Sequence, residues 1–184
     1  MEIVEIYEPW IYSIQFDEDD LNEYDKVIEK WHDLDYLTEF FSTNAEYMNN
    51  PIWASIGLSP SEPEKSAERV IDESEKLEDY IEQLVENAEH GVKPDLEAHF
   101  HFLNGKYSFV CELAPMKAYS TLKPSLLRLY AIRLEENCFL IVYGGIKLAD
   151  TIQNSPDLKD NVIQKLDKVL AFLKREGITE RDDI

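Results

Sequence analysis

Residues 126–148, LLRLYAIRLEENCFLIVYGGIKL, bring Arg128, Tyr130, Arg133 and Lys147 into one short stretch. Guanidinium and ammonium groups beside a phenol make a cationic set that includes a proton-bearing hydroxyl, chemistry suited to holding an anionic group. The surroundings have the same sign. Over residues 106–147 six basic residues (Lys106, Lys117, Lys123, Arg128, Arg133, Lys147) stand against three acidic ones (Glu112, Glu135, Glu136). The chain as a whole does not. Its formal net charge is -20; residues 1–100 hold 6 basic against 27 acidic side chains, and the remainder 12 against 11. Overall acidity argues against indiscriminate nucleic-acid binding, so the local basic region is the informative feature.

Two apolar runs, 126–134 and 138–143, flank Glu135-Glu136-Asn137, the pattern of an antiparallel hairpin whose turn uses the tolerance of Asn for a left-handed backbone. Alternation puts Leu127, Leu129 and Ala131 on one face and Arg128, Tyr130 and Ile132 on the other, the second face being the more polar. Gly144-Gly145 then predicts the strand's end, a bend or a close backbone approach, with Lys147 just beyond it.

Around this hairpin the sequence predicts an α+β domain. Short strands at 3–7 and 10–16 flank Glu8-Pro9. Asp17 to Asp20 lack the alternating ligands and central Gly of a calcium loop, and read as a helix start. Apolar spacing over 21–41 predicts one helix, or two separated near Asp33, centred on Trp31, with His32 at the surface. Residues 42–59 read as a loop. A second helix follows, with a Ser61/Glu64 capping box, Pro63 in its first turn and Gly91 as its stop; Glu73, Glu75, Glu78, Asp79, Glu82 and Glu86 mark an acidic solvent face. Residues 96–103 fit a strand or a helical turn. Asn104-Gly105 predicts a hairpin turn into a strand at 107–113, 114–125 a loop, and Ser155-Pro156 the start of a last helix that Gly177 ends.

The 184-residue length, with 44% hydrophobic and 30% charged residues, fits one soluble domain over residues 1–184. No apolar run is long enough for a membrane span and the N-terminus lacks signal-peptide features, which predicts a cytoplasmic protein with no membrane partner. Cys111 and Cys138 sit in apolar runs as reduced core residues. His99 and His101 would share one side of a strand without an evident third ligand, so no metal and no cofactor is expected.

The segment LLRLYAIRLEENCFLIVYGGIKLADTIQNSPDLKDNVIQKLDKVLAFLKREGI resembles the core of the RelE/HigB-like toxins of type II toxin-antitoxin systems. In that group an Arg-bearing strand leads through a hairpin to a second strand, a Gly-containing bend, a Lys and a helix. Here Leu127-Arg128-Leu129-Tyr130, Gly144-Gly145-Ile146-Lys147 and residues 155–174 stand in those places. The resemblance covers the last third of the chain. It implies a small antiparallel sheet in the order β-α-α-β-β-β-α, with two N-terminal helices and a C-terminal helix packed on it. It further implies an mRNA-cleaving endoribonuclease that acts at the ribosome and is held by a cognate antitoxin. On that reading Arg128, Tyr130 and Lys147 are catalytic and Lys117, Lys123 and Arg133 bind RNA phosphates; the chain departs from the group in having no clear His or second Tyr near its C-terminal end, for which Tyr119 and Tyr143 are the candidate substitutes. The competing expectation is a non-catalytic interaction module whose acidic helical face binds a protein partner or forms a homodimer.

Overall fold

A computed structural model describes residues 1–103 and 113–184. The expected Asn104-Gly105 turn, most of the strand expected over 107–113, Lys106 and Cys111 lie outside the described residues. Strand β1 (Glu2–Tyr7) turns through Glu8-Pro9 into β2 (Ile11–Gln15), an antiparallel hairpin. Helix α1 (Glu23–His32) is N-capped by Asn22, whose Oδ1 accepts from the amides of Tyr24 and Asp25 at 3.0 Å. The aspartates before it are not the cap; Asp19 pairs instead with Lys26. Asp33 ends α1 and caps α2 (Leu34–Thr43), accepting from the Tyr36 amide at 2.9 Å, so the long apolar stripe is two helices.

The stretch expected as a loop contains a 3-10 turn (Ala45–Asn49) and α3 (Pro51–Ala54). Helix α4 (Pro63–Glu89) begins with its proline at the first position and is followed by Gly91 at φ +64°. The expected capping box is absent: Glu62 occupies the cap without a side-chain bond, and the Ser61 hydroxyl meets that of Ser59. Then come α5 (Leu96–His99), β3 (His101–Phe102), β4 (Ala114–Tyr119), β5 (Leu127–Glu135), β6 (Cys138–Ile146) and α6 (Val162–Glu176).

The protein is α+β, but its sheet is mixed rather than antiparallel. The strand order is β1-β2-β6-β5-β4-β3, and β2 runs parallel to β6 while every other pair is antiparallel. A parallel pair needs a long crossover, supplied here by the helices and strands between β2 and β6. The expected β-α-α-β-β-β-α order is therefore too short: the chain opens on a hairpin and adds two further short helices before the sheet closes. Segment 114–125 is likewise not all loop. Pro115 removes one donor near the start of β4, and the strand still pairs with β5 along its length.

Both faces of the sheet are covered. Leu127, Leu129, Ala131, Phe139 and Ile141 face the core shared with α1, α2 and α4, including Trp31, Leu37, Phe41 and Leu77. Tyr130, Ile132, Leu134, Leu140 and Val142 face Leu158, in the turns before α6, and Val162, Leu166 and Val169 of α6 itself. Central β6 is buried at every residue, which is why CFLIVYGGI reads as an uninterrupted apolar run. Gly144 and Gly145 lie inside this strand rather than at a bend beyond it. A Cβ on Gly144 would come within 2.5 Å of Val27 Cγ2, and one on Gly145 within 2.7 Å of Leu158 Cδ2, so the two glycines admit close approach from opposite faces. The hairpin turn itself is as expected, with Asn137 at φ +58°.

Helix α6 starts six residues later than a Ser155 cap would place it, with Asn161 at the cap position. The Ser155 hydroxyl accepts from the Ala149 amide at 3.1 Å and lies 3.1 Å from the Thr151 carbonyl, which binds 149–155 into turns before the helix begins. Asp157, at the end of this segment, accepts from the Ile146 amide at 2.7 Å and from Lys30 at 2.8 Å. These bonds hold the segment that walls the site described next. Among the described residues no helix is long and apolar enough to cross a membrane.

Candidate functional site

Strand register decides which of the basic side chains meet. Lys117 pairs with Tyr130, and Tyr119 with Arg128, across β4 and β5. Positions two apart on each strand share a face, so these four side chains form one block on the α6 side of the sheet. Arg128 in turn faces Gly145 on β6, and Lys147 follows one residue past that strand, its amide donating to the Leu126 carbonyl at 2.7 Å. Helix α6 leaves this end of the sheet uncovered. The result is a cavity of about 290 Å³ lined by Lys117, Tyr119, Arg128, Tyr130 and Lys147, with Asp150, Ile152 and Ile163 on its rim. A second cavity, of about 270 Å³, shares Tyr119, Arg128, Lys147 and Asp150 with the first and adds Lys123.

Five of the six predicted residues therefore converge on one basin. Arg133 does not join them. As an odd-numbered residue of β5 it belongs to the opposite face, where its Nε donates to Glu97 Oε1 at 2.7 Å.

The basin is cationic, with four basic side chains against the carboxylate of Asp150 on its rim. Lys117, Lys123, Arg128 and Lys147 form no salt bridge among the described residues, although other basic residues such as Lys26, Lys30, Lys76 and Lys165 are paired with carboxylates. Burial lowers the Lys147 pKa, and the neighbouring charges of Arg128 and Lys117 lower it further, while Asp150 opposes them. The Arg128 pKa is also lowered by burial, partly offset by Tyr119, Tyr130 and Glu73. Burial raises the Tyr130 phenol well above its ordinary value, so it keeps its proton at neutral pH and serves as a donor. An entering anion relieves the mutual repulsion of the cations and offsets part of the excess positive charge of a half-buried site.

Arg128 is held in place. Its Nη1 donates to the carbonyls of Ser125 (3.1 Å) and Leu127 (2.6 Å) and to Ser125 Oγ (3.1 Å), and its guanidinium carbon lies 4.2 Å from the centre of the Tyr119 ring. These bonds all use Nη1, which leaves Nε and Nη2 without a hydrogen-bond partner among the described residues.

Behind Arg128 stands a residue that the sequence reading misassigned. Glu73, expected on the solvent face of α4, is 0% exposed. Its Oε2 accepts from the amides of Leu126 (2.9 Å) and Leu127 (3.3 Å) and from the Ser120 hydroxyl (3.0 Å), and lies 3.2 Å from the Ser125 hydroxyl; Arg69 Nε donates to Oε1 at 3.0 Å. The carboxylate thus ties the β4–β5 connection to the helix and fixes the Ser125 group that Arg128 uses. Its spacing did carry a signal, for Glu73 is three residues from Val70 and four from Leu77, both buried. Of the other acidic positions on α4, Glu75, Asp79, Glu82 and Glu86 are exposed and Glu78 is half-buried.

The remaining candidates have structural surroundings. The Tyr143 hydroxyl donates to the Asp157 carbonyl at 2.9 Å, inside the α6-side core. Cys138 is buried and burial raises its thiol pKa to about 12, which leaves it unreactive. His99 belongs to α5 and packs edge-on against Tyr80 at 5.2 Å, and among the described residues no cluster of three or more metal-ligating side chains occurs. Compared with protein-family models, with curated proteins and with solved structures, the chain shows no match.

Proposed function

We propose that this chain is an RNA-directed protein of the RelE/HigB toxin type, an endoribonuclease whose active centre is the Arg128–Lys147 basin. The observation that carries the reading is the convergence of Lys117, Lys123, Arg128, Tyr130 and Lys147 around connected cavities, with none of the four cations in a salt bridge among the described residues of an acidic chain.

In this reading the basin binds the scissile phosphate and a neighbour. The ribose 2'-oxygen attacks the adjacent phosphorus, the bond to the 5'-oxygen breaks, and a 2',3'-cyclic phosphate and a 5'-hydroxyl result. Arg128, through Nε and Nη2, stabilises the charge on the non-bridging oxygens. Lys147, whose pKa burial and the Arg128 charge lower, takes the proton of the attacking hydroxyl when it is in its unprotonated amine form. The protonated Tyr130 phenol supplies one to the departing 5'-oxygen, and Lys117 and Lys123 extend the phosphate track. The substrate is mRNA at the ribosome, and the partner is an antitoxin that covers the basin.

Tightly induced expression, with new RNA 5' ends mapped, tests this. The wild type should arrest growth and create new ends, and an Arg128→Ala/Lys147→Ala variant that folds normally should do neither. New ends that persist unchanged in the variant would place the chemistry elsewhere.

A further inference from the structure

Beside the phosphate basin, and sharing Tyr119, Ser120 and Lys123 with the second cavity, lies a third cavity of about 410 Å³ lined by Tyr80, His99, His101, Tyr119, Ser120, Thr121 and Lys123. Its composition differs from that of its neighbours. Four of its seven residues present aromatic or imidazole rings, contributed by α4, α5, β3 and β4. Tyr80 and His99 meet edge-to-face at 5.2 Å, and His101 and Tyr119 lie 6.0 Å apart at a 45° tilt. The Tyr119 ring, already stacked with Arg128, joins this cavity to the basin. His99 Nε2 is buried in the wall without a hydrogen-bond partner, and the pKa of its ring is lowered to about 4, so it is a neutral imidazole.

We infer that this cavity is a nucleobase subsite: it stacks a base of single-stranded RNA against Tyr119 and Tyr80, with the adjoining phosphate on Lys123 and Arg128. The inference rests on the RNA reading above and adds to it where a base is held. Stacking on aromatic side chains tolerates any base, so the subsite adds affinity for RNA over a bare sugar-phosphate chain without demanding one sequence.

The test uses fluorescence anisotropy with the whole 184-residue chain and two labelled hexamers, oligoadenylate and an abasic ribose-phosphate chain of the same length and charge. The wild type should bind oligoadenylate roughly tenfold more tightly than the abasic chain. A Tyr80→Leu/His101→Ser variant should lose that difference while binding the abasic chain unchanged. Equal affinity of the wild type for the two probes overturns the subsite and leaves the phosphate basin standing, a comparison that needs no variant to fold. Binding of neither probe overturns the RNA reading and the subsite with it.

Discussion

Replacing Glu73 with glutamine tests the link between the helical layer and the basin. The substitution keeps the volume and removes the charge. Both carboxylate oxygens face donors: Arg69 Nε and, at a longer 3.3 Å, the Leu126 amide on Oε1, and the Leu126 and Leu127 amides with the Ser120 hydroxyl on Oε2. Whichever way the amide turns, its NH2 group confronts at least one of them. Placing it toward Arg69 is the less costly choice, because Arg69 is partly exposed and can swing into water. Loss of that pair and weakening of charge-assisted bonds to a group taken fully out of water predict a cost of about 2–4 kcal/mol. For a chain of this size that lowers Tm by roughly 5–15 °C. Urea unfolding followed by tryptophan fluorescence measures it, and the m-value should be unchanged. RNA affinity should also fall in the folded variant, because Ser125 no longer anchors Arg128 firmly. A Glu73→Gln protein within about 0.5 kcal/mol of wild type, with unaltered RNA binding, would refute the assignment of Glu73 as the positioning residue.

Gly144→Ala should destabilise by about 1–3 kcal/mol through the clash with Val27, and by markedly less in a Val27→Ala background; additive costs in this double-mutant cycle would mean that the contact is not the cause. His99, with its pKa lowered from 6.5 to about 4, stays neutral when folded while the unfolded chain takes up a proton. Its contribution to stability is complete above pH 6.5 and is lost as pH falls through about 4, a change of roughly 2–4 kcal/mol. His99→Phe should flatten that part of the stability profile, and an unchanged slope between pH 6.5 and 4 would count against it. Converting the exposed Glu75 and Glu86 to glutamine should leave specific RNA cleavage intact, because neither lines the basin or the ring-lined cavity; loss of activity in a folded variant would favour a function seated on the acidic face.

The central hairpin was legible in the sequence because alternation, a polar turn and Asn137 all pointed to one structure. The meeting of Lys117 with Arg128, Tyr130 and Lys147 was not, since it depends on the pairing of β4 with β5, and two prolines and two lysines made 114–125 look like a loop. The parallel β2–β6 pair escaped for a similar reason: period-two patterns specify faces and leave strand neighbours open. Arg133 was grouped with Arg128 by composition, yet their odd and even positions put them on opposite faces of one strand. Glu73 shows the reverse error, a charge assigned to solvent by its type although its helical spacing placed it inside.

The central claim is that the basin holds RNA phosphates, and the salt dependence of binding to a short single-stranded RNA tests it most directly. Four cations engaged together predict that log K falls with log salt at a slope of about −2.8, and Arg128→Ala/Lys147→Ala should reduce the slope to about −1.4. A slope near zero, or one that the double substitution leaves unchanged, would contradict the account.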